Sequence, residues 1–225
     1  MSPGGEALHR QYGARRTHVF VPGLRFDTEL QFQAQARGAR QAWRKLLMAQ
    51  VQAQDSGWVA LRQACALVTG TGPRMDALTK ALGADPWSMD GQLLARRITE
   101  SCLGLTAGWH PGWKGADHVM QLPGAGMACL QQPEGHIWAF IAGVEWVAKA
   151  ARADGAARSG SARVTGLLVL DPRRPAPWGV AYNTRLLRAA GRWRGIDGEV
   201  GEALLVGWIS LDRRPVFPVV PVCPV

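Results

Sequence analysis

What this chain lacks narrows it first. It has no run of about 18 uncharged apolar residues, and its leader, MSPGGEALHRQYGARR, has no apolar core of the secretory kind. No membrane partner is therefore predicted, and a cytoplasmic protein is expected. Cysteine is sparse: Cys65, Cys102, Cys129 and Cys223 lie far apart with no C-x-x-C pair, which argues against both a disulfide framework and a zinc knuckle. The stretch LVTGTGPRMDALTK (67–80) has Met75 where a dinucleotide fingerprint needs its third glycine, and it lacks Gly-Lys-Ser/Thr. It reads as a helix start punctuated by Gly70, Gly72 and Pro73. Neither a Gly-x-Ser-x-Gly elbow nor H-E-x-x-H is present, so a serine hydrolase and a zincin have no support. His110, Asp117 and His118 share one loop without a cysteine partner, and no metal is expected there. Asp197, Glu199 and Glu202 stand beside Arg192 and Arg194 and read as charge balance rather than magnesium ligands. No cofactor is expected.

Lysine is also scarce, and what replaces it is informative. The chain has 22 Arg and 4 Lys against 10 Asp and 7 Glu, a net charge of +9. Residues 1–62 carry nine basic and four acidic side chains, net +5; residues 63–151 carry six and seven, net −1; residues 152–225 carry eleven and six, net +5. The charge sits at the two ends. If the ends fold together around a common sheet, they form one basic face of the kind that neutralises phosphates; the alternative is a generally solvated surface.

The pattern of apolar residues predicts the elements. THVFVPGLRF (17–26) alternates and reads as a strand, followed by a helix from Asp27 or Thr28 to about Gln54 with a stripe through Phe32, Ala36, Ala39 and Trp43. GWVALRQACALV, PRMDALTKALGA and SMDGQLLARRITESCLGL read as helices stopped by glycine or proline. TAGWHPGWKGADH reads as a loop, HVMQL and MACLQ as two strands, and PEGHIWAFIAGVEWVAKAARA as a helix. A linker at 152–163 precedes the strand VTGLLVL, the helix YNTRLLRAA, the loop GRWRGIDGEVG, the strand EALLVGWISL and a proline-rich tail expected to lie extended. This order predicts an α+β protein with a ferredoxin-like (RRM-like) core: residues 1–62 its first part, 63–151 a mostly helical insertion, and 152–225 its second part with the tail.

Arginine supplies the candidate site. Arg37, Arg40 and Arg44 form a stripe on the first helix. In RLLRAAGRWRG (185–195), Arg185, Arg188 and Arg192 fall at helical spacing beside Trp193 and Arg194, with Arg173 and Arg174 in a proline-rich loop near Trp178. Guanidinium groups pair bidentately with phosphate and stack on bases, and tryptophan offers planar faces, so this pattern points to RNA. A solvated helix face is the competing reading.

With THVFVPGLRF feeding a helix that carries Arg37 and Arg40, a helical middle, and a basic RLLRAAGRWRGIDGEVGEALLVGWISL, the chain resembles the repeat-associated RNA-binding proteins of CRISPR systems. Within them it is most similar to the type IV repeat-RNA endonucleases. The resemblance implies a ferredoxin-like fold, a hairpin or guide RNA as ligand, other subunits of a ribonucleoprotein as partners, and metal-independent cleavage by the 2′-hydroxyl. Such cleavage requires cations on the reacting phosphate, for which Arg37 and Arg40 are the candidates, and a proton acceptor, for which His18 is the histidine near the basic N-terminal half. Arg44, Arg173, Arg174, Arg185, Arg188, Arg192, Trp193 and Arg194 would grip the RNA. The first helix carries no histidine, so a non-catalytic backbone or cap subunit stands beside the endonuclease as a second reading, and a small-molecule enzyme or unrelated mobile-element protein whose charge is incidental is a third.

Overall fold

The structure, a computed structural model, describes residues 15–20, 55–70, 72–83, 85–86, 89–116, 125–133, 135–148, 163–174, 182–195 and 198–214. Its strands are β1 (Arg15–Phe20), β2 (Leu105–Pro111), β3 (Ala125–Gln132), β4 (Gly135–Ala148), β5 (Arg163–Leu170), β6 (Thr184–Leu187), β7 (Arg192–Gly195), β8 (Val200–Glu202) and β9 (Leu204–Arg213). Its helices are α1 (Ser56–Thr69), α2 (Met75–Leu82) and α3 (Gly91–Glu100).

All strand pairs are antiparallel, in the order β2-β9-β3-β4-β5-β6-β7-β8, with β1 added to β4. The far end of this path returns towards its start. Strand β8 leads through Ala203 alone into β9, and the Ala203 N–H donates to the Gly191 carbonyl at 3.0 Å while the Gly112 N–H donates to that of Val206 at 2.7 Å. The sheet therefore coils around an inner face. By register that face carries Trp208, Ala128, Ile141, Val169, Leu167 and Leu186, all buried.

The outer face of β2, β9, β3 and β4 lies under the helices: α1 packs on β4, β3 and β9, and α3 on β2 and β9. Trp109 meets Trp138 edge to face with centroids 6.3 Å apart. Gly91 is glycine because a Cβ there would lie 2.2 Å from the Trp109 ring. The Trp138 N–H donates to Ser56 Oγ at 3.1 Å, fixing the start of α1 on β4. The helix ends follow local chemistry. Gly70 and Gly83 close α1 and α2 in the left-handed conformation, and the Asp90 carboxylate accepts from the Leu93 N–H at 2.8 Å to cap α3.

A ferredoxin-like core with a helical insertion is not what forms. The described chain is mostly strand, and its helices are confined to α1–α3. Two expected helices are strands. In β4, Ile137 through Val144 are all buried, because the strand is covered on both faces. Such a strand reads as an unbroken apolar run, which helical spacing also matches. YNTRLLRAA with GRWRG forms the β6–β7 hairpin, turning at Gly191 with φ +56°. TAGWHP, expected as loop, is most of β2. The three helices at 56–100 and the strands at 15–20, 125–132, 163–170 and 204–213 agree with the sequence pattern. The helix expected at 27–54, the strand HVMQL, the linker from 152 to 162 and the tail from 215 lie outside the described residues.

Candidate nucleic-acid interface

The β6–β7 hairpin places the arginines by register rather than by helical spacing. Thr184 pairs with Gly195, Arg185 with Arg194, Leu186 with Trp193, and Leu187 with Arg192. Directly opposed residues share a face, so Arg185, Arg194 and Arg192 are on the outer face while Leu186 and Trp193 are on the inner one. Two arginines facing each other repel unless one is neutralised. Arg185 is: its Nη2 donates to Oε2 of Glu145, a buried carboxylate two strands away that also accepts from Thr165 Oγ1 at 3.2 Å. Burial pushes the neighbouring Tyr182 phenol above its ordinary range, with the Arg185 charge opposing and the Glu145 charge adding to the shift.

Arg173 and Arg174 are held by acids as well. Arg173 grips Asp171 through Nε at 3.1 Å and Nη2 at 2.7 Å, and Asp171 is buried. The bidentate geometry locks the turn after β5, which Asn183 ties from the other side by accepting from the Asp171 N–H at 2.8 Å and donating to its carbonyl at 2.9 Å. Arg174 lies 3.9 Å over the Trp193 ring and pairs with Glu199 at 2.7 Å. Beneath the indole, Gly201 is opposite Trp193 in register, and a Cβ there would approach the ring to 2.6 Å. Trp193 is thus half-buried between Arg174 and Gly201.

The remaining cations differ. Arg188, half-buried, lies 5.4 Å over the Trp113 ring, linking the β6–β7 turn to the turn after β2. Arg192 and Arg194 are exposed on β7. Arg192 faces Glu202 across the β7–β8 register, and Arg194 faces Val200. Of the acids at 197–202, Glu199 pairs with Arg174 and Glu202 is the register partner of Arg192; Asp197 lies outside the described residues. So do Arg37, Arg40, Arg44, Trp178, Asp117 and His118. His18 is on β1, where its register partner is Glu145.

His110 stacks on Trp208 with centroids 4.1 Å apart, and its Nε2 lies 3.0 Å from Ser210 Oγ. Among the described residues no cluster of three His, Cys, Asp or Glu has the arrangement of a metal site. No helix among them is long and apolar enough to cross a membrane.

Sequence reasoning missed two features. Arg96 and Arg97 on α3 and Arg213 on β9 are exposed, and Arg214 donates to the carbonyls of Thr99 and Ser101, where α3 ends. Only the pairing of β2 with β9 brings these distant stretches together. The second is apolar: Val200, Leu204 and Val206, which are 56%, 63% and 39% exposed, are the large hydrophobic residues left in solvent among the described residues. Their even-numbered spacing is visible in the sequence, and dividing the stretch between a loop and a strand hides it. Family models, curated proteins and solved structures offer no match to this chain.

Proposed function

We propose that this chain is a cytoplasmic RNA-binding subunit of a ribonucleoprotein, and that the outer face of β7 and β8 is where the RNA lies. One observation carries the reading: Arg173, Arg174 and Arg185 are bound to carboxylates, whereas Arg192 and Arg194 project into solvent from one face of one strand. A strand that spaces two guanidinium groups two residues apart, in a chain of net charge +9, suits a phosphate backbone better than a compact anion. The resemblance to repeat-associated RNA-binding proteins makes precursor guide RNA the first RNA to offer it. Binding without cleavage is the principal reading. A second, metal-independent cutting, has one observation in its favour: the register sets a histidine position, His18, against a carboxylate position, Glu145, on neighbouring strands.

The test is fluorescence anisotropy of labelled RNA with the full chain over a range of salt concentrations. Arg192→Glu with Arg194→Glu is expected to weaken all RNA sequences alike. It should also flatten the dependence of log K on log salt by about 0.7 to 0.9 for each phosphate that is no longer neutralised. Unchanged affinity and slope would remove the β7 face from the proposal. The same RNA, incubated in EDTA and run on a denaturing gel, distinguishes retention of intact RNA from cutting.

A further inference from the structure

The three exposed hydrophobic side chains are not scattered. Val200, Leu204 and Val206 lie on one strand path, β8 into β9, and alternate with the buried Ala203 and Leu205. The break in register between Cys129 and Leu130 opposite this stretch adds a residue to β9, so Val206 keeps the outward side although Gly207 next to it also belongs to the outer face. The result is an apolar ridge on the outer face, about 20 Å long for a strand rising about 3.3 Å per residue. Its polar neighbours are specific. Arg194 is the register partner of Val200, and Arg192 that of Glu202. Gly191 lies against Leu204: a Cβ at Gly191 would sit 3.2 Å from Leu204 Cδ2.

A purely electrostatic site for duplex RNA has no use for this ridge, because a duplex presents phosphates and sugars and keeps its base faces stacked inside. A single strand has unstacked bases that gain by leaving water, and guanidinium planes beside an apolar surface offer them both stacking and burial. We infer that the β7–β9 outer face takes unpaired, single-stranded RNA, with the bases on the Val200–Leu204–Val206 ridge and the phosphates on Arg192 and Arg194. This rests on the RNA-binding reading above. Glu202 stands within the ridge and opposes the phosphates, so it sets a ceiling on affinity that Glu202→Gln raises.

The probes are three oligomers carrying the same fluorophore: a mixed-sequence single strand, its blunt duplex, and an abasic strand of equal length that keeps the phosphates and lacks the bases. The full chain is expected to bind the single strand about tenfold more tightly than the abasic strand. Leu204→Ser with Val206→Ser, both exposed positions on β9, should abolish that preference and leave the abasic affinity unchanged, with the thermal melt confirming an intact fold. Equal binding of single strand, duplex and abasic strand, or a preference that survives the double variant, overturns the inference while the RNA-binding reading stands. No binding to any of the three overturns both. A concentration-dependent dimer in sedimentation, absent from the double variant, would then assign the ridge to a second copy of the chain.

Discussion

The region under the helices, β2, β9, β3 and β4, and the region from β5 to β8 share an inner face and differ on the outer one. Under α1 and α3 the outer face is made of Trp109, Trp138, Met127 and Ile209, packed to the point that Gly91 and Gly207 have no room for a methyl group beside the Trp109 ring. From β5 onward it carries Arg185, paired with Glu145 of β4, then Arg192 and Arg194, then Val200, from which the apolar ridge runs into the exposed start of β9 at Leu204 and Val206. The inner face continues unchanged through both, from Trp208 to Leu186. Stability is thus concentrated in the inner face and the helix layer, while β7 and β8 leave their outward side chains free to meet a ligand.

Thiol chemistry gives the sharpest contrast within the helix-covered region. Burial pushes the Cys65 and Cys129 thiols up to about 12, whereas Cys102 is exposed. In a Cys223→Ser background, an alkylating reagent at mild alkaline pH is expected to modify Cys102 at once. Cys65 and Cys129 should react nearly four orders of magnitude more slowly, through the unfolded population of a protein stable by about 5 kcal/mol. Comparable rates at all three, read by mass spectrometry, would show that the helix layer opens on its own. The same shifts predict a pH effect. The thiols lose their protons in the unfolded chain near 9 but in the folded one only near 12, so folding binds protons in that window. Stability should hold below pH 9 and decline as pH rises from 9 towards 12, and urea melts at intervals across this range would reveal it.

Packing substitutions should follow the same division. Trp208→Ala removes a fully buried indole from the inner face and should cost about 3–5 kcal/mol in chemical denaturation. A cost under about 1 kcal/mol would mean that the inner face is not one core. Glu145→Leu leaves the Arg185 guanidinium without its carboxylate and should cost about 3 kcal/mol, with Glu145→Leu/Arg185→Leu recovering much of it. Failure of the double variant to recover would assign the loss to packing instead. Arg174→Ala removes a stacked guanidinium and a pair with a largely exposed Glu199, worth about 1 kcal/mol together. Smallest of all, Arg194→Glu should change stability by no more than about 0.5 kcal/mol while weakening RNA binding. A large destabilisation there would make Arg194 structural and end its comparison with Arg185.

Much of the helix layer was legible along the chain. The glycines after α1 and α2 are local signals, and local signals survive folding because they act within one or two turns. The strand identity of β4 was not legible from spacing: a segment buried on both sides leaves no polar face by which period 2 can be told from period 3.6, and only its aromatic and β-branched content spoke for a strand. The β6–β7 hairpin was misread for a different reason. Arg185, Arg188 and Arg192 matched a helical stripe, yet Arg-Trp-Arg at 192–194 alternates and Gly191 marks the turn between the two strands.

By itself, then, the amino-acid order determined the excess of arginine, its concentration towards the two ends, the three helices with their stops, and the strands whose apolar character is plain. Which arginines are available was decided only by tertiary structure. Arg185 and Arg194 are the same residue in chemically similar surroundings until register sets them opposite each other. Glu145, forty positions away, neutralises Arg185 and leaves Arg194 in water. Charge is a property of composition. Whether it is spent within the fold or presented outside it depends on which carboxylates the coiling of the sheet brings within a hydrogen bond's reach.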